Sequence, residues 1–547
     1  MNRTLLPLIP LLLALGPAGA LAQEHEHHAP GADSQLGSVH FPTTCRAEVA
    51  ADFDRATALL HSFGYELARQ AFAGVAARDP ECAMAQWGIA MSLYHPVWAP
   101  PSAPELDQGR AAADKAVATG GPSERECAYI GAIAAFYRDA GKLDHRTRAV
   151  AYRGAMADVA KRFPEDHEAA IFYALSLLGS APPNDPHLSQ QQQAAEILNR
   201  LLPLEPRHPG VAHYLIHALD YPQLASRALP AARAYARIAP ASPHAQHMPS
   251  HIFTRLGLWE ESIQSNLASA ATGDALAAHM HPGAASFDTM HALDYLEYAY
   301  LQTGQDAKAK AVLERAARAT TFDEPNFAAG YALTTVQARY ALERRQWRDA
   351  TRIEPPKAQL PWDRFAYALA TLHFARSLGG ARSGDLAAAQ DGLTQLAAIH
   401  EALTKAPPAG PYDWAGEVES LRLAAAGWLA QAQGKPDAAL ALLRSAADLQ
   451  DKVGKHPVTP GEVLPARELL GDLLLELRRP SDALKEYETA LASAPNRLNG
   501  LYNAARAAEL VGDAAKARAY YAQVVTQCGH AEPARPEVIQ ARRAALR

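Results

Sequence analysis

The sequence predicts an all-α protein, an α-solenoid of stacked helix-turn-helix units, and three observations carry that expectation. Ala, Leu and Arg dominate a 547-residue chain of 49% hydrophobic content, with little enrichment in the β-branched and aromatic residues that strands favour. A pattern of small, turn-forming, small and aromatic residues recurs along most of the chain. Proline-rich runs, "IEPPKAQLPWD", "APPAGPYDW" and "GKHPVTPGEVLP", fall between the periodic blocks, where Pro and Gly punctuate loops.

The chain starts with "MNRTLLPLIPLLLALGPAGALA", in which Arg3 precedes a short apolar run and Ala20-Leu21-Ala22 offers a small-x-small cleavage site. This reads as a secretory signal over residues 1–22, with an uncleaved anchor as the alternative. Cleavage near Ala22 makes the mature chain exported, periplasmic or secreted, without a membrane span of its own. Residues 23–44 follow as a flexible tail. Its "EHEHH", with His25, His27 and His28, offers transient metal ligands or a solvated leader. Export also bears on the four cysteines. Cys45 and Cys82 flank the first helical hairpin and are candidates for a disulfide in an oxidising compartment, whereas Cys127 is expected to be buried and Cys528 to lie apart near the C-terminus.

Helical repeats occupy the remainder: an N-terminal array over 45–350, a middle set over 351–455 and a C-terminal set over 456–547. The C-terminal units are the clearest. "RLNGLYNAARAAELVGDAAKARAYYAQVV" places Ala505, Gly512, Ala517, Tyr521 and Val524, and "ARELLGDLLLELRRPSDALKEYETALASAP" places Gly471, Ala483, Tyr487, Ala490 and Pro495, in matching positions. Weaker copies carry Gly434, Ala439, Leu443 and Ala446, and Gly304, Ala309, Leu313 and Ala316. These units resemble tetratricopeptide repeats, whose period is about 34 residues. Small residues let antiparallel helices approach closely, and large ones fill the gap to the next pair. About nine to eleven such pairs account for the chain.

Histidines fall in register with the repeats. His213 and His217 in "HYLIH", and His247 and His251 in "HMPSH", are spaced to share one face of a helix. By resemblance to tetratricopeptide arrays, these residues and His244 point into the concave groove, where ligands bind. His291 and Asp294 fall in line with them when Gly304 sets the register. Pro249 complicates the second pair, since a helix beginning there leaves His247 in the preceding loop. That leaves His213, His217, His251 and His291 as the core quartet; together with His247 they are the candidate metal ligands, with His244, His281, His61 and His95 as further groove residues. Imidazole-rich ligation suits a Zn or Cu ion. Asp220 and Asp294 each follow a histidine by three residues in "HALD", a spacing at which a carboxylate orients an imidazole.

The strings "DPECAMAQWGIAMSLYHPVWAPP", "HYLIHALDYP", "HMPSHIFTRLGLWEESIQSN" and "HPVTPGEVLPARELLGDLLLEL" resemble a group of exported bacterial tetratricopeptide-repeat proteins of poorly defined function. The resemblance implies fold and export, and no activity. Net charge is −6 without a concentrated basic block, which argues against a nucleic-acid partner. The chain has no GxxxxGK[ST] or GxGxxG turn, hence no nucleotide cofactor, and no GxSxG elbow. "HYLIH" has the histidine spacing of a zinc protease, but Tyr214 stands where that motif places its glutamate. A general base, if one exists, is to be sought among Asp294, Glu297 and Asp220. The leading expectation is a solenoid that binds a peptide, protein or small molecule in a groove carrying a histidine-rich metal site. A metal-dependent hydrolase or oxidase and a metal-handling protein are the alternatives.

Overall fold

The computed structural model describes residues 35–545 except 98–99, 184, 407–411 and 533; the signal segment, the "EHEHH" histidines and Trp98 lie outside the described residues. The described chain is all-α, with helices packed in sequential antiparallel pairs and one isolated parallel bridge between Ala285 and Phe322. No helix among the described residues is long and apolar enough to cross a membrane.

The packing explains the recurring pattern of small and aromatic residues. In the pair Ala466–Glu476 and Pro480–Ser493, a β-carbon added at Gly471 would lie 2.7 Å from the Tyr487 ring, so the glycine is the recess that admits the tyrosine. Gly512, at φ 87°, makes the left-handed turn out of Leu498–Val511 that a residue with a side chain adopts only at a cost.

Apolar side chains form three buried clusters, spanning Leu36–Phe253, Trp259–Ala358 and Tyr331–Ala541. The first begins inside the expected tail: Phe41 is 2% exposed and its ring meets Phe53, Trp87, Tyr129 and Phe172. Residues 35–44 are therefore docked, with backbone bonds from Ser38 to Arg207 and from Ala241 to Gln35. Burial of a large aromatic ring contributes to this docking, as do bonds from Phe41 N–H to Asp54 and from Thr44 to Glu126. Cys45 is disulfide-bonded to Cys82 across the first hairpin; Cys127, contrary to expectation, is exposed, and Cys528 is buried.

The C-terminal repeats fold back onto the middle of the chain. Asn496 accepts from Trp259 Nε1 at 2.8 Å and donates to the Gly257 carbonyl, while Leu498 N–H bonds Gln302. Between them Arg497, fully buried, donates to Glu468, Tyr298 and Glu343 at 2.6–2.7 Å. A guanidinium withdrawn from water requires such partners for each arm. The same return carries the 454–465 segment back toward the histidine-bearing helices: Tyr295 donates to the Thr459 carbonyl, and Lys455 Nζ lies 3.9 Å from Asp220.

Candidate metal centre

Four helices bring six histidines together. Pro209, whose missing N–H costs nothing at the first position, starts Pro209–Leu219, which carries His213 and His217 one turn apart. Ser242 caps Pro243–His247 by accepting from Ala245 N–H, and this short helix presents His244 and His247. Pro249 then restarts the chain as Pro249–Arg255, bearing His251. The break falls where the proline predicts, but His247 ends a helix of its own and is not in a loop. His291 comes from Phe287–Gln302.

The rings sort into two triads. His213, His217 and His244 form one: Nε2 of His213 is 3.0 Å from Nε2 of His217 and 3.0 Å from Nε2 of His244. His247, His251 and His291 form the other, with Nε2 of His247 and of His251 3.0 Å apart and the His291 ring 4.1 Å from that of His247. Within each set the candidate ligand atoms all lie within 4.8 Å of one another. The sequence places these residues in an open groove, whereas His213, His244, His247, His251 and His291 are buried and only His217 is half-buried.

Hydrogen bonds fix the tautomers of three rings. His213 Nδ1 lies 2.7 Å from the His61 carbonyl, an acceptor only, so Nδ1 carries the proton and Nε2 the lone pair. His251 Nδ1–H donates to Asp220 at 3.0 Å. His247 Nδ1–H donates to Asn266 Oδ1 at 2.7 Å; Asn266 Nδ2 is committed to the Ser262 carbonyl, which fixes the amide orientation. All three rings thus aim an Nε2 lone pair inward, each oriented by an oxygen behind it, the arrangement that metal-binding imidazoles use.

Burial holds all six imidazoles in the neutral, ligating form. It is the first cause that lowers each pKa, His217 to about 3 and His213, His244, His247 and His291 well below the usual value, with neighbouring histidines reinforcing it. His251 is also lowered by burial, against the opposing pull of Asp220. Burial opposes ionisation of Asp220 itself, but Lys455, Arg255 and His251 outweigh it and keep the carboxyl ionised. Arg255 Nε donates to its other oxygen at 2.8 Å.

Aromatic rings wall the site. Phe63, held in the left-handed region at φ 55°, lies 4.3–5.5 Å from all three rings of the first triad, and Tyr235 stacks on His213 at 5.1 Å. Tyr295 lies 4.8–5.5 Å from each ring of the second.

The remaining sequence candidates go elsewhere. His61 joins His208 on Glu168: His61 Nε2 and His208 Nε2 meet the two carboxylate oxygens at 3.0 and 2.9 Å, and His61 Nδ1 meets the Tyr214 hydroxyl at 2.9 Å. The arrangement satisfies Glu168 as an ionised acceptor of two N–H groups. His95 packs on Tyr65, and His281 meets Glu66 at 3.2 Å. Asp294 accepts from Thr335 and Arg339 at 2.7 Å, and Glu297, fully buried, lies 3.6 Å from the same guanidinium. Of the three carboxylates read as possible bases, Asp220 bonds a triad histidine, accepting from His251 Nδ1–H. Asn266, Phe63, Lys455, Glu168 and His208 escaped the sequence reading, because each reaches the site or its neighbourhood through a tertiary contact that no local spacing records.

No family model and no curated protein matches the chain. Among solved structures, the APC/C Cut9–Hcn1 hetero-tetramer aligns over 91% of this chain and 89% of its own at 13% identity and a TM-score of 0.31. The human IFIT1 dimer with m7Gppp-AAAA aligns over 81% and 90% at 12% identity and a TM-score of 0.36. The chain is accordingly described by its own architecture, an all-helical repeat protein enclosing two buried histidine triads.

Proposed function

We propose that this chain is an exported metalloprotein in which each histidine triad holds one copper- or zinc-type ion, and that its activity resides at this pair. One observation carries the reading. His247 and His251 both commit their Nδ1 protons to oxygens, yet their Nε2 atoms stand 3.0 Å apart. Two lone pairs at that distance repel, and the gap is too short to admit a water. A proton between them would create a buried imidazolium, which burial disfavours in both rings. A cation with metal–nitrogen bonds of about 2.0 Å turns the repulsion into ligation.

Three neutral nitrogens per ion suit copper and zinc and leave a position open for chemistry. Their burial favours an ion-centred function over recognition of a peptide at these positions. The Cys45–Cys82 disulfide supports an oxidising compartment, in keeping with the signal-like start of the sequence.

Elemental analysis of untagged protein, reconstituted separately with zinc and copper, tests the proposal. Two ions per chain are expected, His213→Ala and His251→Ala each losing one and the double variant both. A wild type that retains no metal, with the double variant equally stable, sinks it. If metal is bound, turnover on ester, phosphoester and oxidisable substrates, lost in the variants, separates an enzyme from a carrier.

A further inference from the structure

The triads are built from shared parts. Pro243–His247 gives His244 to one and His247 to the other, three residues apart on one face, where β-carbons stand about 5–6 Å apart. Pro209–Leu219 gives two ligands to the first triad, and its C-terminal cap, Asp220, orients His251 of the second.

Charge and space narrow the chemistry. All six candidate ligands are neutral, and the nearby Asp220 carboxylate is already shared by His251, Arg255 and Lys455. Two dications here would bring four positive charges into a buried site that supplies no anionic ligand; two cuprous ions bring half that, and an anion bridging two cupric ions restores the balance. A cavity of about 570 Å³, lined by residues including His40, Arg125, Arg162 and His208, has no triad histidine in its wall. At the triads themselves the rings of Phe63, Tyr235 and Tyr295 pack on the imidazoles, which favours a small ligand over a large one.

We infer that the two triads form a single binuclear copper centre that binds dioxygen between its ions. The inference rests on the paired-metal reading above. Each cuprous ion gives one electron, and dioxygen accepts both; the O=O double bond becomes a single bond while oxygen–copper bonds form to both ions. No proton moves and no group leaves, so the step reverses on release of dioxygen.

Untagged protein loaded anaerobically with two equivalents of Cu(I) and then exposed to dioxygen gives the test. Expected are uptake of one dioxygen per two coppers, a new near-ultraviolet charge-transfer band, and almost no EPR signal, because the two cupric spins couple. His247→Ala, checked for native helicity, should keep one copper and give on oxidation the full EPR signal of a lone cupric ion. Two bound coppers that take up no dioxygen, or oxidise to two uncoupled EPR signals, overturn the inference and leave the metal-centre proposal standing. Failure to hold copper while zinc binds also overturns it, and failure to bind either metal removes the proposal beneath it.

Discussion

His244 and His247 stand three residues apart on one short helix, yet their imidazoles belong to different triads. A single element therefore sets the separation of the two sites, and what disturbs it disturbs both. Residues that support only one triad offer cleaner experiments.

Asp220 is such a residue. It accepts from His251 Nδ1–H while Arg255 and Lys455 hold it ionised. Asp220→Asn removes the charge that strengthens the His251 nitrogen as a donor and leaves Arg255 short of a counter-ion. Altering the partner behind a ligating imidazole weakens metal binding by about 10–100-fold. Chelator titration should show that loss at one ion of two; equal weakening of both, or of neither, contradicts the assignment.

Phe63 covers the first triad from a backbone conformation that costs a residue with a side chain about 1 kcal/mol or more. Phe63→Gly relieves that cost and removes the ring, whereas Phe63→Ala removes the ring alone. Both variants should release the first-triad ion to a chelator several-fold faster with the second unchanged, and the glycine variant should melt higher than the alanine one. Unchanged release from both would show that the ring is packing and not a cover.

Glu168 gives a pH-dependent prediction away from the metal ligands. Burial raises its carboxyl pKa, but His61 and His208 outweigh burial and hold it well below the usual range. A depressed folded pKa means stability that is complete above the unfolded value, near 4.5, and is lost as pH falls below it toward the folded one. Glu168→Gln offers one acceptor to two buried imidazole N–H groups and should cost about 1–3 kcal/mol at pH 7. Denaturant melts should show that difference constant from pH 8 to 5 and shrinking below 4.5. A difference that grows on acidification would mean the carboxyl is protonated in the folded protein.

How far the sequence foretells this site depends on the range of the contacts involved. Helix periodicity and the small-aromatic code depend on neighbours within one repeat, so Gly471 and Tyr487 are legible as a packed pair. The i,i+4 histidine pairs are legible for the same reason, and so is the break at Pro249. The division into two triads is not, since it depends on His244 reaching His213 and on His291 reaching His247 across different helices. Asp294 shows the opposite failure: its spacing from His291 matches that of Asp220 from His217, but Arg339 and Thr335 approach from a neighbouring helix and claim its carboxylate. Burial of the histidines also eluded the sequence, because the repeat register places residues on the concave face and says nothing of the C-terminal repeats that return toward it.

That return makes the last prediction. Arg497, fully buried, joins Tyr298 and Glu343 in the middle of the chain to Glu468 in the C-terminal repeats. Removing one partner of a buried ionic network strands the others, at a cost of about 3–5 kcal/mol. Arg497→Met nearly keeps the volume but leaves Glu343 and Glu468 facing each other without a counter-charge, so the C-terminal repeats should loosen from the 287–302 helix. Lys455 and the Thr459 carbonyl, which meet Asp220 and Tyr295, would then withdraw from the second triad. Limited proteolysis should cut first within 454–465, and the second-triad ion should exchange faster than the first. A variant that loses stability while both ions exchange as in the wild type would confine Arg497 to folding and separate the fold-back from the metal centre.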